Sequence, residues 1–347
     1  MAKQAVITFP LYRDLSADNP WERAYSVPPS LPKFVRRSVP IRDVRHDFEG
    51  IDLKHSQDYL RRNGFTIVNH TSAMFDGEAI KDFDDVSVLE EVYYPECIKL
   101  LKKTTGAKHV FITHSSSRQS HGNTINTGSE KFPKTKEEII KNEEESIKDR
   151  SKLNERIETF HMAAAPTANA ELLKVAREAG IIQREDNLCE DATSPESDQI
   201  LETNYNQNGK GPRYACFSIW RPLHDVTRDP LGYAPRYTTN VDGLIATKYE
   251  NRVPGDSSLG GDFVREQEVF LIKDEEVGLK GPEFLYISEQ KPEEVSIFKL
   301  FALGNTTLQP SNVEWEAPGT PHSSLDIGDA GYGPPRRSID VRCIAVW

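Results

Sequence analysis

Two histidines and an arginine–serine pair are the residues of this chain whose types and spacing invite chemistry. His161 opens the run His161-Met162-Ala163-Ala164-Ala165-Pro166, and His322 lies in Pro318-Gly319-Thr320-Pro321-His322-Ser323-Ser324. Barrel enzymes commonly hold a mononuclear iron by two histidines and one carboxylate on a single face, leaving positions open for a co-substrate and oxygen. Arg336 follows His322 by 14 positions, and Ser338 stands two further on. A planar guanidinium with a hydroxyl beside it suits a bidentate grip on the distal carboxylate of a keto-diacid. Taken singly, each residue has a plainer reading. A lone histidine is more often a hydrogen-bonded structural residue, and Arg336 serves equally well as a surface ion-pair partner.

The elements that must position these residues change character along the chain. Residues 1–46, rich in proline and basic side chains, read as an extended arm over the surface ending in the strand-like run 38–46. Residues 50–101 are mostly helical in pattern, broken by a β-rich run from Gly64 to His70; a further strand is expected over 108–114. The stretch 129–158 is dense in both charge signs and reads as a solvated helix or a lid, and 184–200 as an acidic surface loop. After Tyr214, short apolar runs at 215–220, 268–272, 284–287, 295–298 and 339–347 are punctuated by Gly, Pro and Asp, as in an all-β sandwich or barrel. The expectation is a mainly β fold with α additions: an arm over 1–46, then one β-barrel domain over 47–347 with a charged insertion at 129–158.

Bulk properties narrow the partners. A formal charge of −11 and a pI near 5.4 argue against nucleic acid, whose phosphates are met by clustered Lys and Arg. Cys97, Cys189, Cys216 and Cys343 form no C-x-x-C pair, which points to a reducing compartment without a zinc knuckle or disulfide framework. No apolar run is long enough to cross a bilayer, and the first residues lack a secretory pattern, so a cytoplasmic protein with no membrane partner is expected. No glycine-rich nucleotide loop is present. Trp220 and Trp347 read as core aromatics, the neighbours His224 and Asp225 as a loop-stabilising hydrogen bond, and Tyr237, Tyr286 and Phe301 as candidate pocket walls.

Together the landmarks resemble the iron(II)/2-oxoglutarate hydroxylase/desaturase family of fungal secondary metabolism, which includes gibberellin desaturases and relatives of the cephem methoxylase small subunit. They run along most of the chain: Ile41-Arg42-Asp43-Val44-Arg45, Asn63-Gly64-Phe65, Tyr93-Tyr94-Pro95-Glu96, Thr105-Gly106-Ala107-Lys108-His109-Val110, Trp220-Arg221-Pro222-Leu223, Pro321-His322-Ser323-Ser324 and the segment from Pro334 to Arg342. The resemblance implies a double-stranded β-helix (jelly-roll, cupin-like) flanked by N-terminal helices. It also implies iron(II) on a His-x-Asp pair plus a distal His, and 2-oxoglutarate on an Arg-x-Ser pair. On that carry-over His161 and His322 match the metal ligands and Arg336 with Ser338 the co-substrate clamp. Arg118, in His114-Ser115-Ser116-Ser117-Arg118, falls where the family has an arginine leading toward the site.

The chain departs from the pattern at the carboxylate ligand, where His161-Met162-Ala163 replaces His-x-Asp. Ala302 stands where an aspartate is usual, and Gly232-Tyr233-Ala234-Pro235 replaces a Cys-Asp pair. Three readings follow. The first is an iron(II)/2-oxoglutarate enzyme with a two-histidine metal site, open to halogenase-like chemistry, acting on a small hydrophobic fungal metabolite. The second is a redox-neutral enzyme on the same fold, with His161, His114 or Arg118 as acid, base or anion clamp. The third is a non-catalytic partner subunit paired with an active paralogue, the family context admitting both homodimers and heterodimers.

Overall fold

The computed structural model describes residues 3–10, 34–50, 52–76, 81–119, 161–163, 214–239, 244–253, 263–272, 281–303, 319–328, 333–334 and 336–347. The strongly charged stretch 129–158, the acidic loop 184–200 and Cys189 lie outside the described residues. In chain order the strands are β1 (Gln4–Pro10), β2 (Phe34–Asp43), β3 (Phe65–Asn69), β4 (His109–Gln119), β5 (His161–Ala163), β6 (Tyr214–Pro222), β7 (Leu231–Tyr233), β8 (Leu244–Val253), β9 (Phe263–Ile272), β10 (Phe284–Tyr286), β11 (Glu294–Leu303), β12 (His322–Ser324) and β13 (Arg337–Val346). Among the described residues the α-helices, α1 (Leu53–Asn63), α2 (Val86–Val88) and α3 (Tyr94–Thr105), precede β4, and a π-helical turn over Leu89–Tyr93 joins the last two.

The helix boundaries follow from local chemistry. The Asp52 carboxylate accepts from His55 N at 2.8 Å and caps α1, which ends at Gly64 in the left-handed conformation with φ 81°. Pro95 follows directly on the π-helical turn at the start of α3, and Gly106 closes that helix with φ 73°.

The strands form an eight-stranded sheet in the order β1-β2-β10-β7-β12-β5-β9-β8 and a five-stranded sheet in the order β3-β11-β6-β13-β4. Between them lies a core of Phe65, Ile67, Cys216, Trp220, Tyr233, Leu285, Phe298, Ile344 and Val346, drawn from both sheets. This is the double-stranded β-helix that the resemblance implies. The outer face of the smaller sheet packs on the helices through residues such as Leu89, Tyr93, Leu101, Ile219, Ile297, Ile339 and Val341. The segment expected as a surface arm supplies β1 and β2, which pair antiparallel, and β2 joins β10 in parallel. Ala5, Ile7, Val39 and Ile41 bury that hairpin against Phe284, Tyr286 and Leu325.

β13 is paired on both sides, with β4 and with β6, and is buried on both faces. Its odd-numbered residues Ile339, Val341, Cys343 and Ala345 join the helix-side core, while Ile344 and Val346 face between the sheets. The period of two therefore also commits Ser338 and Asp340 to the inner face. There Asp340 accepts a hydrogen bond from Ser218 Oγ.

One polar cluster ties the helices to the smaller sheet. Arg221, 1% exposed, donates from Nε to Tyr93 Oη at 3.1 Å and from Nη1 to the carbonyls of His70 at 3.1 Å and Pro292 at 2.6 Å. Its Nη2 donates to His70 Nδ1 at 2.6 Å. A guanidinium has no acceptor, so His70 Nδ1 must carry a lone pair there. Burial first, and then the neighbouring Arg221 charge, lower the His70 pKa below 6.5, with Glu96 pulling the other way and Lys103 adding to the depression. The neutral ring's contribution is complete above the unfolded value of about 6.5 and is lost as pH falls through the depressed folded value.

Thermal unfolding should accordingly show a steeper loss of Tm between pH 7 and pH 5 in the wild type than in His70→Gln, which keeps an acceptor but does not titrate. Parallel slopes would refute the assignment. A second expectation concerns Gly232 on β7: an added Cβ would stand 2.6–2.8 Å from the Leu325 side chain. Gly232→Ala should cost about 1–3 kcal/mol in urea unfolding, because the strands on either side leave little room to relax.

Candidate active site

The two histidine positions expected to share a metal are cross-strand partners. β12 and β5 pair antiparallel through His322 and His161, and directly opposed residues occupy the same face of a sheet. β9 holds the far side of β5, with His161 opposite Leu271 and Ala163 opposite Val269. β7 holds the far side of β12 through three pairs, the first of them His322 with Tyr233. Alternation along β5 puts position 163 on the face of position 161. There the sequence supplies a methyl group and no ligating atom.

His322 is buried, and its ring lies against Phe298 with centroids 4.4 Å apart. Nδ1 donates to the Thr320 carbonyl at 3.0 Å. Because a carbonyl only accepts, this bond puts the proton on Nδ1 and the lone pair on Nε2, the state in which an imidazole ligates a metal. Thr320 is itself anchored, its N–H donating to Lys299 O at 2.8 Å and its hydroxyl to Asn63 O at 3.3 Å.

Arg336 precedes β13 and is buried at 3% exposure. Nη1 donates to the Asp229 carbonyl at 2.5 Å and to Ser324 Oγ at 3.2 Å, and the guanidinium lies over the Trp220 ring, 5.4 Å from its centroid. Ser324 is two residues beyond His322 on β12, so the arginine reaches from the smaller sheet to the strand that carries the histidine. Ser338, two residues on, is fully buried, and its Oγ is a buried hydroxyl without a hydrogen-bond partner among the described residues. Such a group carries a desolvation penalty until an acceptor or donor reaches it.

The backbone register sets the remaining candidates. Position 118 on β4 is opposite Ser338 in the backbone register, whereas position 114 is opposite Arg342. Four residues along a strand separate the two by roughly 14 Å. Position 114 thus lies well along the barrel wall from the clamp.

The residues that replace the family's Cys-Asp pair have become packing. Tyr233 is fully buried and stacked on Phe65 with centroids 4.2 Å apart and planes 4° apart; its hydroxyl donates to Ser296 Oγ at 2.6 Å. Burial raises its phenol pKa, so it serves as a neutral hydroxyl. Trp220 and Tyr286 are buried, but Tyr237 is 62% exposed and does not wall a pocket. His224 Nδ1 lies 2.9 Å from Asp225 O, and Nε2 accepts from Arg337 N at 3.1 Å, which fixes the loop before β13. Cys97, Cys216 and Cys343 are buried and form no disulfide among the described residues, and burial pushes the Cys97 thiol up to about 12.

Three groups that hold the candidate residues carried no signal of their own role in the sequence: Ser324 and the carbonyl of Asp229 beside Arg336, and Thr320 beside His322. Ser324 and Thr320 lie in the run around His322, where spacing alone does not reveal a contact between sheets. Asp229 is one of two described non-glycine residues with positive φ, at 52°, and the sign of φ at an aspartate is not written in its type.

Comparison with known proteins finds similar chains along most of its length. The family described as "Oxidoreductase/YMDC permease-like domain" matches residues 13–151 and 190–346. The "Gibberellin cluster GA4 desaturase" of Gibberella fujikuroi is 27% identical over 342 residues, covering 92% of this chain and 89% of that protein. The "Alpha-ketoglutarate-dependent dioxygenase phiK" of a fungal species is 23% identical, with 88% of each chain covered. Among solved structures, the "iron and alpha-ketoglutarate-dependent endoperoxidase NvfI" superposes with a TM-score of 0.55 at 20% identity, over 100% of this chain and 97% of that one. The protein therefore belongs to the family described as Oxidoreductase/YMDC permease-like domain and is an oxidoreductase-family chain built on the double-stranded β-helix fold of iron- and 2-oxoglutarate-dependent enzymes.

Proposed function

We propose that this chain is a non-haem iron(II)/2-oxoglutarate-dependent oxidoreductase acting on a small hydrophobic metabolite of a fungal pathway, with a two-histidine metal site. The observation that carries the reading is the clamp. Arg336 is buried and oriented by Ser324, and the Ser338 hydroxyl waits two residues away without a partner among the described residues. A carboxylate seated between them would accept from the guanidinium and from Ser338 Oγ, removing the penalty on that hydroxyl.

The donor set also suits iron(II) in part. His322 offers Nε2 in the ligating tautomer, and position 161 is its cross-strand partner. At position 163 a methyl group replaces the carboxylate, so the metal would keep a coordination position for water or a small anion. Loss of that charge weakens metal affinity and leaves 2-oxoglutarate as the main anionic partner of the dication. When bound, iron(II) with 2-oxoglutarate supplies the activation of dioxygen. The chain's own residues orient the keto-diacid, keep Nε2 of His322 deprotonated and line the interior with Phe298, Trp220 and other apolar groups that favour a hydrophobic substrate. Arg118, opposite Ser338, is assigned to anion recognition at the same mouth, and His114 to the wall farther along β4.

Anaerobic titration of the full chain with iron(II) and 2-oxoglutarate should give a visible charge-transfer band that requires both additions. Arg336→Ala should raise the 2-oxoglutarate concentration needed for half-maximal band by about 10- to 100-fold, as expected for losing a charge-assisted contact. No band, together with turnover in metal-free anaerobic protein, would overturn the proposal in favour of a redox-neutral reaction. Activity confined to mixtures with a paralogue would favour a partner subunit. Ala163→Asp should strengthen iron(II) binding by restoring the third ligand, and unchanged iron affinity would remove position 163 from the metal site.

A further inference from the structure

We propose that Asp229 is a positioning residue for the Arg336 clamp, held in a left-handed backbone conformation so that its own carbonyl fixes the guanidinium for a carboxylate. The inference rests on the reading of Arg336 as the grip on 2-oxoglutarate.

Asp229 has φ 52° and is 1% exposed. Left-handed geometry is tolerated by aspartate and asparagine far better than by other L-residues, but Pro230 follows, and a residue before proline is pushed toward extended conformations. A conformation disfavoured in this way persists only where its surroundings over-determine it. Here the surroundings are specific. Arg228 Nε donates to Asp229 Oδ2 at 2.9 Å, with the two side chains 4% and 2% exposed, so the carboxylate is anchored on the residue before it. Pro230 O accepts from Leu325 N at 2.9 Å, tying the turn to the end of β12. Between these two anchors the Asp229 carbonyl accepts from Arg336 Nη1 at 2.5 Å and from Ser324 Oγ at 3.5 Å.

The consequence is a division of labour within one residue. The side chain secures the turn, and the backbone oxygen sets the rotation of the guanidinium about its long axis. A second contact to Ser324 and the Trp220 ring beneath complete the cradle. Rotating Asp229 into the extended region would turn its carbonyl away from Nη1 and remove that constraint on the plane of the clamp. A bidentate carboxylate is sensitive to that plane, whereas a ligand without a distal carboxylate is not.

The test measures binding by calorimetry on the full chain with iron(II) under anaerobic conditions, using 2-oxoglutarate and 2-oxobutyrate, which share the keto-acid head but differ in the distal carboxylate. The wild type should prefer 2-oxoglutarate, and Arg336→Ala should erase the preference. Asp229→Val, whose β-branch resists the left-handed basin, should weaken 2-oxoglutarate about tenfold and leave 2-oxobutyrate unchanged. Asp229→Asn, which accepts that basin and keeps a side-chain oxygen for Arg228 Nε, should stay within about threefold of wild type. Should Asp229→Val fail to fold by circular dichroism, Asp229→Ala takes its place with the same expected direction. If the valine variant binds 2-oxoglutarate like wild type while Arg336→Ala loses the preference, the clamp stands and the role of Asp229 falls. Equal weakening of both ligands would also overturn it, as the mark of general damage. A wild type that does not distinguish the two acids would remove the clamp itself and this inference with it.

Discussion

A guanidinium cannot leave water without acceptors to replace it, and the barrel meets that demand at Arg221, Arg228 and Arg336. Arg221 and Arg336 each donate to oxygens that only a completed fold brings together. For Arg221 these are carbonyls from the ends of β3 and the turn before β11, with Tyr93 from the helical layer. For Arg336 they are a carbonyl from the turn before β7 and a hydroxyl from β12. Neither set exists in a chain whose strands have slipped by one residue, since such a slip reverses every face. The two arginines therefore read out register, one on the outer side of the smaller sheet and one at its mouth.

Between them runs β13, whose alternation divides the work. Ile339, Val341, Cys343 and Ala345 are apolar and face the helices; Ser338 and Asp340 are polar and face inward near Arg336, and Ile344 and Val346 close the far end. The inner face is thus graded from polar to apolar along a single strand. That gradient is what a barrel needs to hold a charged co-substrate beside an apolar one.

Much of this was legible in the residues. The apolar runs after Tyr214 became β6, β9, β10, β11 and β13, because short β-branched and aromatic stretches bounded by turn residues have few other ways to be buried. The helices before β4 and the strand from Phe65 to Asn69 were likewise visible from periodicity and from Gly64. Of the candidate site, the resemblance pointed to Arg336, Ser338, His161 and His322; the structure buries Arg336 and Ser338 and pairs positions 161 and 322 across strands. What stayed hidden were the contacts between sheets. Ser324 against Arg336 joins two strands with no periodic relation, and the buried role of Arg221 depends on a carbonyl 71 residues away. The positive φ of Asp229 was hidden for another reason, since only glycine advertises such a backbone by its type. Tyr237 shows the converse: an aromatic beside a pocket-like run that folding leaves in solvent.

The stacking of Arg336 on Trp220 has an optical consequence. An indole beneath a guanidinium sits in the field of that cation, and the field changes whenever an anion seats on the far side. Trp220 is buried in the barrel interior, away from bulk water. An anion seated on Arg336, as proposed, would change the charge beside this native indole and be followed by its fluorescence without any added label.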